Sequence, residues 1–361
     1  MKTILFPFRG KSIGGSHLSS LALMKDLADR YDSKIVIHEK GEFYEFLRRQ
    51  NIPFEILSIP VIDPQEGKLR TLWNLIISYL KIKRYLKENQ VKLVHTNEST
   101  MNYTWALPSR HAGARHVWQQ LNNWTSSAWE RFLIQQPTLV ACNSDYTYDL
   151  CIRKKDIVVQ TDSFDREKMQ LDQDRVKCKR QILERLGISD NPPLIGYFAN
   201  YVFRKRPIQY LNAAREIQKR QGDAVFVMAG NERDYTKEDL WKHAKEIGLD
   251  RNLYILDFVD NMWEFLAGLD ILLITAVNET VGRTPIEAAL VRTPSVATRH
   301  AGLPATIGHI GFGALIDPDD VQGYAESVVD MVKNPVAVDA SVAYRYFVGD
   351  QYQERIRAVY P

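Results

Sequence analysis

Short apolar runs alternate with longer amphipathic stretches along most of the chain. A run that is apolar on both faces fits a strand buried in a parallel sheet, and the amphipathic stretch behind it fits the helix that crosses back over that sheet. In the first half this pattern predicts strands at 3–8, 34–38, 54–57, 93–95, 116–120 and 138–142, with helices over 19–30 and 72–88. The first strand leads to Gly14-Gly15, after which a helix opens. The pattern pauses in a charged stretch, 166–192, read as a linker that contains the start of a helix leading to Leu186-Gly187. A second series then predicts strands at 194–198, 224–229, 253–256, 271–275 and 295–297. Its helices fall at 207–220, 237–247, 262–269 and 285–290, with a shorter turn from 304 and a last helical segment over 344–359.

The expected fold is therefore α/β, with two Rossmann-like doubly wound domains facing a cleft: 1–165, the linker 166–192, 193–335, and a helical segment 336–361. A length of 361 residues agrees with two cores rather than one. In doubly wound sheets the ligand lies beyond the carboxyl ends of the strands, so the chemistry is expected in the loops there.

Composition narrows the class. Hydrophobic residues at 45% and charged residues at 25% are those of an ordinary globular protein. The net charge of +3 is uneven: residues 1–170 hold 24 basic and 18 acidic side chains, the remainder 23 and 26. The basic half suits a phosphate-bearing substrate or an anionic membrane surface, and it is too diffuse for nucleic acid. Three cysteines without a CxxC suit a reducing cytoplasm. No apolar run reaches the length of a spanning helix. Lys81, Lys83, Arg84 and Lys87 follow the apolar stretch 72–80, and a basic amphipathic helix of this kind either packs on its own sheet or rests on a bilayer. The expected location is the cytoplasm, free or peripheral to the inner face of the membrane.

The densest chemistry lies in Asn278-Glu279-Thr280-Val281-Gly282-Arg283-Thr284-Pro285-Ile286-Glu287, between the strand at 271–275 and the helix at 285–290. Two carboxylates stand eight residues apart, one in the loop and one expected in the first helical turn, with Pro285 at the first helical position. Gly282 lets a ligand approach the backbone, and free N–H groups at the helix start favour phosphate. Glu279 and Glu287 are suited to accept hydrogen bonds from sugar hydroxyls; as purely structural residues they would close a turn and balance the helix dipole.

This pattern, with Glu279 and Glu287 set in E-x-x-G-R-x-P-x-E-A order, resembles the signature of the family 4 retaining glycosyltransferases of the GT-B fold. Leu269-Asp270-Ile271, Arg292-Thr293-Pro294, Ala301-Gly302-Leu303-Pro304 and the segment 311–318 resemble the family's flanking elements, so the resemblance covers about 193–335. It implies that Glu279 faces donor-sugar hydroxyls and Glu287 the ribose, with Gly282, Arg283 and Thr284 near the diphosphate. It also implies an Arg and a Lys after the strand at 194–198. Lys205 falls on the Lys position, but Asn200 stands at the Arg position. Either Arg204 or Arg206 supplies the missing charge, or Asn200 contributes a hydrogen bond alone. Gly230, Asn231 and Val259 resemble loops near the nucleotide, and Gly14 and Gly15 the family's glycine loop. His17, Asn97 and Asn122 fall near the expected reaction centre, where Asn replaces two usual histidines and puts a general base there in doubt.

The resemblance implies transfer of a sugar from a nucleotide-diphosphate donor to a saccharide or lipid-linked acceptor. The donor is a co-substrate, and neither cofactor nor metal is expected. The alternatives are a nucleotide-sugar 2-epimerase and a catalytically silent nucleotide-binding or scaffold protein.

Overall fold

The computed structural model describes residues 2–62, 68–123, 128–256, 259 and 261–361. Val259 alone is described in the loop around it. The chain forms two compact units: Met1–Glu167 with Gln351–Pro361, and Lys168–Asp350.

The first unit holds a seven-stranded parallel sheet in the order β3-β2-β1-β4-β5-β6-β7. Its strands are β1 Lys2–Phe8, β2 Tyr31–Ile37, β3 Glu55–Ile56, β4 Leu93–Thr96, β5 Arg115–Gln120, β6 Leu139–Cys142 and β7 Ile157–Val159. The second holds a six-stranded parallel sheet in the order β10-β9-β8-β11-β12-β13. Its strands are β8 Leu194–Phe198, β9 Val225–Ala229, β10 Leu253–Ile255, β11 Ile271–Ile274, β12 Ser295–Thr298 and β13 Ala314–Ile316. Central strands are buried on both faces: Ile4, Leu5 and Phe6 in β1, and Phe226, Val227 and Met228 in β9, have no exposed surface. That is why they read as unbroken apolar runs.

In each sheet the strand order reverses once, between β1 and β4 and between β8 and β11. Helices that leave to opposite sides at such a point open a crevice at the strand ends. The loops after these four strands are the ones that carry most of the residues singled out above.

The stretch 166–192 contains the helix Arg175–Arg185, started by Asp174, whose side chain accepts from Lys177 N at 3.1 Å. Ile182 and Leu183 bury this helix in the second unit, where Gly268 approaches so closely that a Cβ would lie 2.6 Å from Ile182. The expected helix over 344–359 is two helices, Ala340–Phe347 and Asp350–Val359. The break falls at Val348 and Gly349, whose N–H groups both bond to Tyr344 O. The second of these helices buries Tyr352, Ile356 and Val359 in the core of the first unit. Tyr360 then donates its hydroxyl to His95 Nδ1 at 2.6 Å.

Candidate donor site and the comparison with known proteins

In the second unit the loop after β8 is held from both sides. On one side Tyr201 N donates to Asn231 O at 2.9 Å and Phe203 N to Asp234 Oδ2 at 2.8 Å. On the other, Thr275 Oγ1, at the end of β11, donates to the carbonyls of Lys205 (3.2 Å) and Arg206 (2.9 Å), and Val277 N donates to Arg204 O at 2.8 Å. A single 3-10 turn, Phe203–Lys205, results. It aims Lys205 and Arg204 at the loop after β11.

There both meet Glu279. Lys205 Nζ lies 3.0 Å from Glu279 Oε1, and Arg204 is ion-paired to the same oxygen. Glu279 is buried to 9% exposure, so its charge depends on these partners. Burial pushes the Lys205 ammonium down to about 7; the positive charge of Arg204 adds to this and Glu287 opposes it. Burial also lowers the Arg204 guanidinium. Tyr197, Lys205, Glu279, Gly282 and Thr284 line one shallow hollow, open to solvent, with a cavity volume of about 20 Å³.

Backbone geometry sends Arg204 and Arg206 to different partners. Arg206 takes a left-handed φ of 51° and turns away, with its guanidinium on Pro318 O (2.8 Å) and the Asp319 carboxylate. Arg204, not Arg206, joins the Lys205–Glu279 pair. Asn200 is exposed and its Oδ1 accepts from Asn231 N (3.3 Å) and Nδ2 (3.2 Å), so it couples the loops after β8 and β9.

The helix after β11 is Arg283–Leu290, which begins earlier than the proline suggested. Pro285 is its third residue, where no intrahelical N–H is lost, and Glu287 belongs to the second turn rather than the first. Gly282 caps the helix at φ 78°, and a Cβ there would lie 2.6 Å from Leu303 Cδ2. The N–H groups of Arg283 and Thr284 belong to the first turn of this helix. Glu287 is buried, with Arg283 Nε 3.5 Å away. Two further glycines fix the loops: a Cβ at Gly230 would sit 1.9 Å from Ala199 O, and one at Gly302 1.8 Å from Thr280 O. Sequence reasoning quoted Gly302, and Thr275 as a strand end, without giving either a role. Val259 lines a second hollow with Arg185, Leu186, Leu256 and Phe265, and the Phe265 ring lies 5.6 Å from that of Phe198 at the first.

The first unit contrasts with this. His17 is buried; its Nε2 lies 2.9 Å from Glu98 Oε1 and its Nδ1 3.3 Å from Ser16 Oγ. The other Glu98 oxygen accepts from Arg9 N at 2.7 Å. Glu98, which the motif reading passed over, thus ties the loop after β4 to the loop after β1, and His17 positions it. Asn97 donates to Ser16 O at 2.9 Å and to Ser20 Oγ, while its buried Oδ1 has no protein partner. Asn122 is exposed, 3.4 Å from Ser99 Oγ. Gly14 caps the helix Gly15–Asp26 in an extended conformation, and a Cβ there would meet nothing within 4 Å. His95 and His116, fully buried, are both driven down to about 3 by desolvation.

Residues 179–345, which carry the Lys205–Arg204–Glu279 cluster, match the family model of glycosyl transferases group 1. This stretch is similar to a group 1 glycosyl transferase domain. Among relatives of the chain is N-acetyl-alpha-D-glucosaminyl L-malate synthase of Bacillus anthracis, 25% identical over 208 residues, 56% of this chain and 52% of that protein. Another is 2-deoxystreptamine glucosyltransferase of Streptomyces kanamyceticus, 26% identical over 190 residues, 50% of this chain and 49% of that one. The chain spans about half the length of these relatives. The likeness extends beyond the group 1 domain in solved structures: Anabaena HepE in complex with UDP superposes with a TM-score of 0.82 over 99% of both chains at 20% identity. The lipopolysaccharide outer core galactosyltransferase WaaB gives 0.74 at 12% identity, over 99% of this chain and 98% of that one. The fold of the chain is that of the GT-B glycosyltransferases.

Proposed function

We propose that the chain is a retaining, metal-independent glycosyltransferase that moves a sugar from a nucleoside diphosphate donor to a saccharide or lipid-linked acceptor. The observation that carries this reading is the convergence of Lys205, Arg204 and Glu279 beside the start of the helix Arg283–Leu290. Breaking the bond between the anomeric carbon and the diphosphate leaves growing negative charge on phosphate oxygen. Two cations and the N–H groups of Arg283 and Thr284 supply fixed positive potential for it. Glu279, bound by both cations, is a weakened nucleophile and serves better as an acceptor for sugar hydroxyls. Retention then follows from attack on the face the phosphate leaves. The acceptor oxygen bonds to the anomeric carbon, and the departing phosphate oxygen takes its proton.

Anabaena HepE has been solved with UDP and with UDP-glucose, which supports a uridine diphosphate sugar as the first donor to test. The test is proton NMR of the product from UDP-glucose and a panel of simple glycosides, in EDTA. An α-linked product formed at an unchanged rate in EDTA is expected. A β-linked product, or activity restored only by added magnesium, contradicts the reading.

A further inference from the structure

A hollow of about 510 Å³ opens in the second unit at the amino ends of β8, β11 and β12. Pro193 leads into β8, Asp270 into β11 and Pro294 into β12, and all three residues line it. The sheet is parallel, so this is the end opposite the loops that carry Lys205 and Glu279. Four residues of β11, about 13 Å of extended chain, separate the two ends.

Part of the lining is apolar. Phe312, Met331 and Val332 are half-buried, and Val336, between the helices Val321–Lys333 and Ala340–Phe347, is 57% exposed. The rest carries charge. Arg175 and Lys179 are one turn apart on the helix Arg175–Arg185 and so share a face. With Arg292 they set three cations against one carboxylate, Asp270, among the lining residues. That carboxylate is already committed: its Oδ2 accepts from Leu194 N at 2.7 Å and lies 2.7 Å from Lys179 Nζ. Arg175, half-buried, donates to the carbonyls of Leu269 (2.8 Å) and Arg292. Burial lowers its guanidinium; Asp270 opposes this and the Arg292 cation adds to it.

Holding cations together in a partly desolvated hollow is costly until an anion joins them, and concave walls focus their field. The volume is that of a small-molecule site. We propose that this hollow binds a phosphate monoester of an apolar group, with the phosphate among Arg175, Lys179 and Arg292 and the apolar body against Phe312, Met331 and Val336. The excess of two positive charges matches a phosphate monoester better than a carboxylate. A sugar phosphate is a poorer occupant, because Asn191 is the one uncharged polar side chain in the lining and most hydroxyls would go unmatched. The hollow shares no residue with the proposed donor site, so this inference stands apart from the transfer reading.

Calorimetric titration with 1-naphthyl phosphate decides it, run on wild type and on Lys205→Met so that binding at the donor cluster is told apart. Saturable binding that persists in Lys205→Met is expected, with 1-naphthol and inorganic phosphate each at least about tenfold weaker. Arg292→Gln should weaken it about tenfold, the loss of one charge-assisted contact, and Val336→Asp should do so at least as much. Both change exposed positions, and an unchanged urea midpoint would show that their fold is intact. Absence of binding to the wild-type chain overturns the proposal, as does binding that Lys205→Met removes. Equal affinity for 1-naphthol or for inorganic phosphate overturns it too, and so does binding that neither Arg292→Gln nor Val336→Asp alters.

Discussion

The two units use the same switch-point geometry for opposite electrostatic ends. At the β8/β11 reversal, charge gathers at the start of a helix, with a buried carboxylate gripped by two cations. At the β1/β4 reversal, the polar groups are turned inward: Glu98 is spent on a backbone N–H and on His17, while within β4 and β5 His95 and His116 sit neutral in the interior. One unit gathers paired charges beside a helix start; the other ties Glu98 and His17 to the loops they hold. A shared fold therefore says little about which half does the chemistry, and the side chains at the strand ends say a good deal.

The largest effects should come from breaking the second unit's cluster. Glu279→Gln and Lys205→Met are each expected to lower transfer by about 100-fold or more with circular dichroism unchanged, since each removes a preorganised charge. Arg204→Ala should cost about tenfold, and Arg206→Ala less than about threefold, because only the first guanidinium reaches Glu279. Steady-state kinetics of the pair would sharpen the assignment, and equal losses would undo it.

Stability effects come next. Gly302→Ala places a methyl 1.8 Å from Thr280 O, so the backbone must move; a loss of about 1–3 kcal/mol in urea titration is expected. Gly14→Ala, which meets nothing within 4 Å, should leave stability within about 0.5 kcal/mol.

The last effects are in pH. Folded His95 and His116 have values lowered to about 3, below the ordinary value of 6.5, so the unfolded chain binds more protons between the two. The stability they contribute is present above pH 6.5 and is lost as pH falls towards 3. Melting of the first unit should therefore drop with acid before that of the second. Gln at both positions should blunt the acid dependence.

Much of this was legible in the chain. Buried parallel strands give unbroken apolar runs, and β8 and the helix Pro207–Arg220 fall where the pattern put them. The edge strands β7 and β13 escaped because three half-buried residues carry no periodicity. The docking of Tyr352 and Ile356 into the first unit depends on contacts far apart in sequence, which no local window contains. In the site, the Glu279 motif was plain because glycine, proline and two carboxylates punctuate it. Arg204 and Arg206 could not be separated, since the left-handed turn that parts them is a property of the folded loop. Glu98 drew no role from its sequence neighbours, because its partners, Arg9 N and His17, are 89 and 81 residues away.

The central claim is that anion binding rests on Lys205 in the second unit. Calorimetric titration with UDP in EDTA, at about pH 6.5 and about pH 8.5, tests it on wild type, Lys205→Met and His17→Gln. A lysine lowered to about 7 is partly charged at the lower pH and largely neutral at the higher, so a bound diphosphate must draw in a proton there. The account predicts saturable binding that weakens about tenfold at the higher pH, is lost in Lys205→Met and persists in His17→Gln. Binding that ignores pH and survives in Lys205→Met would contradict it.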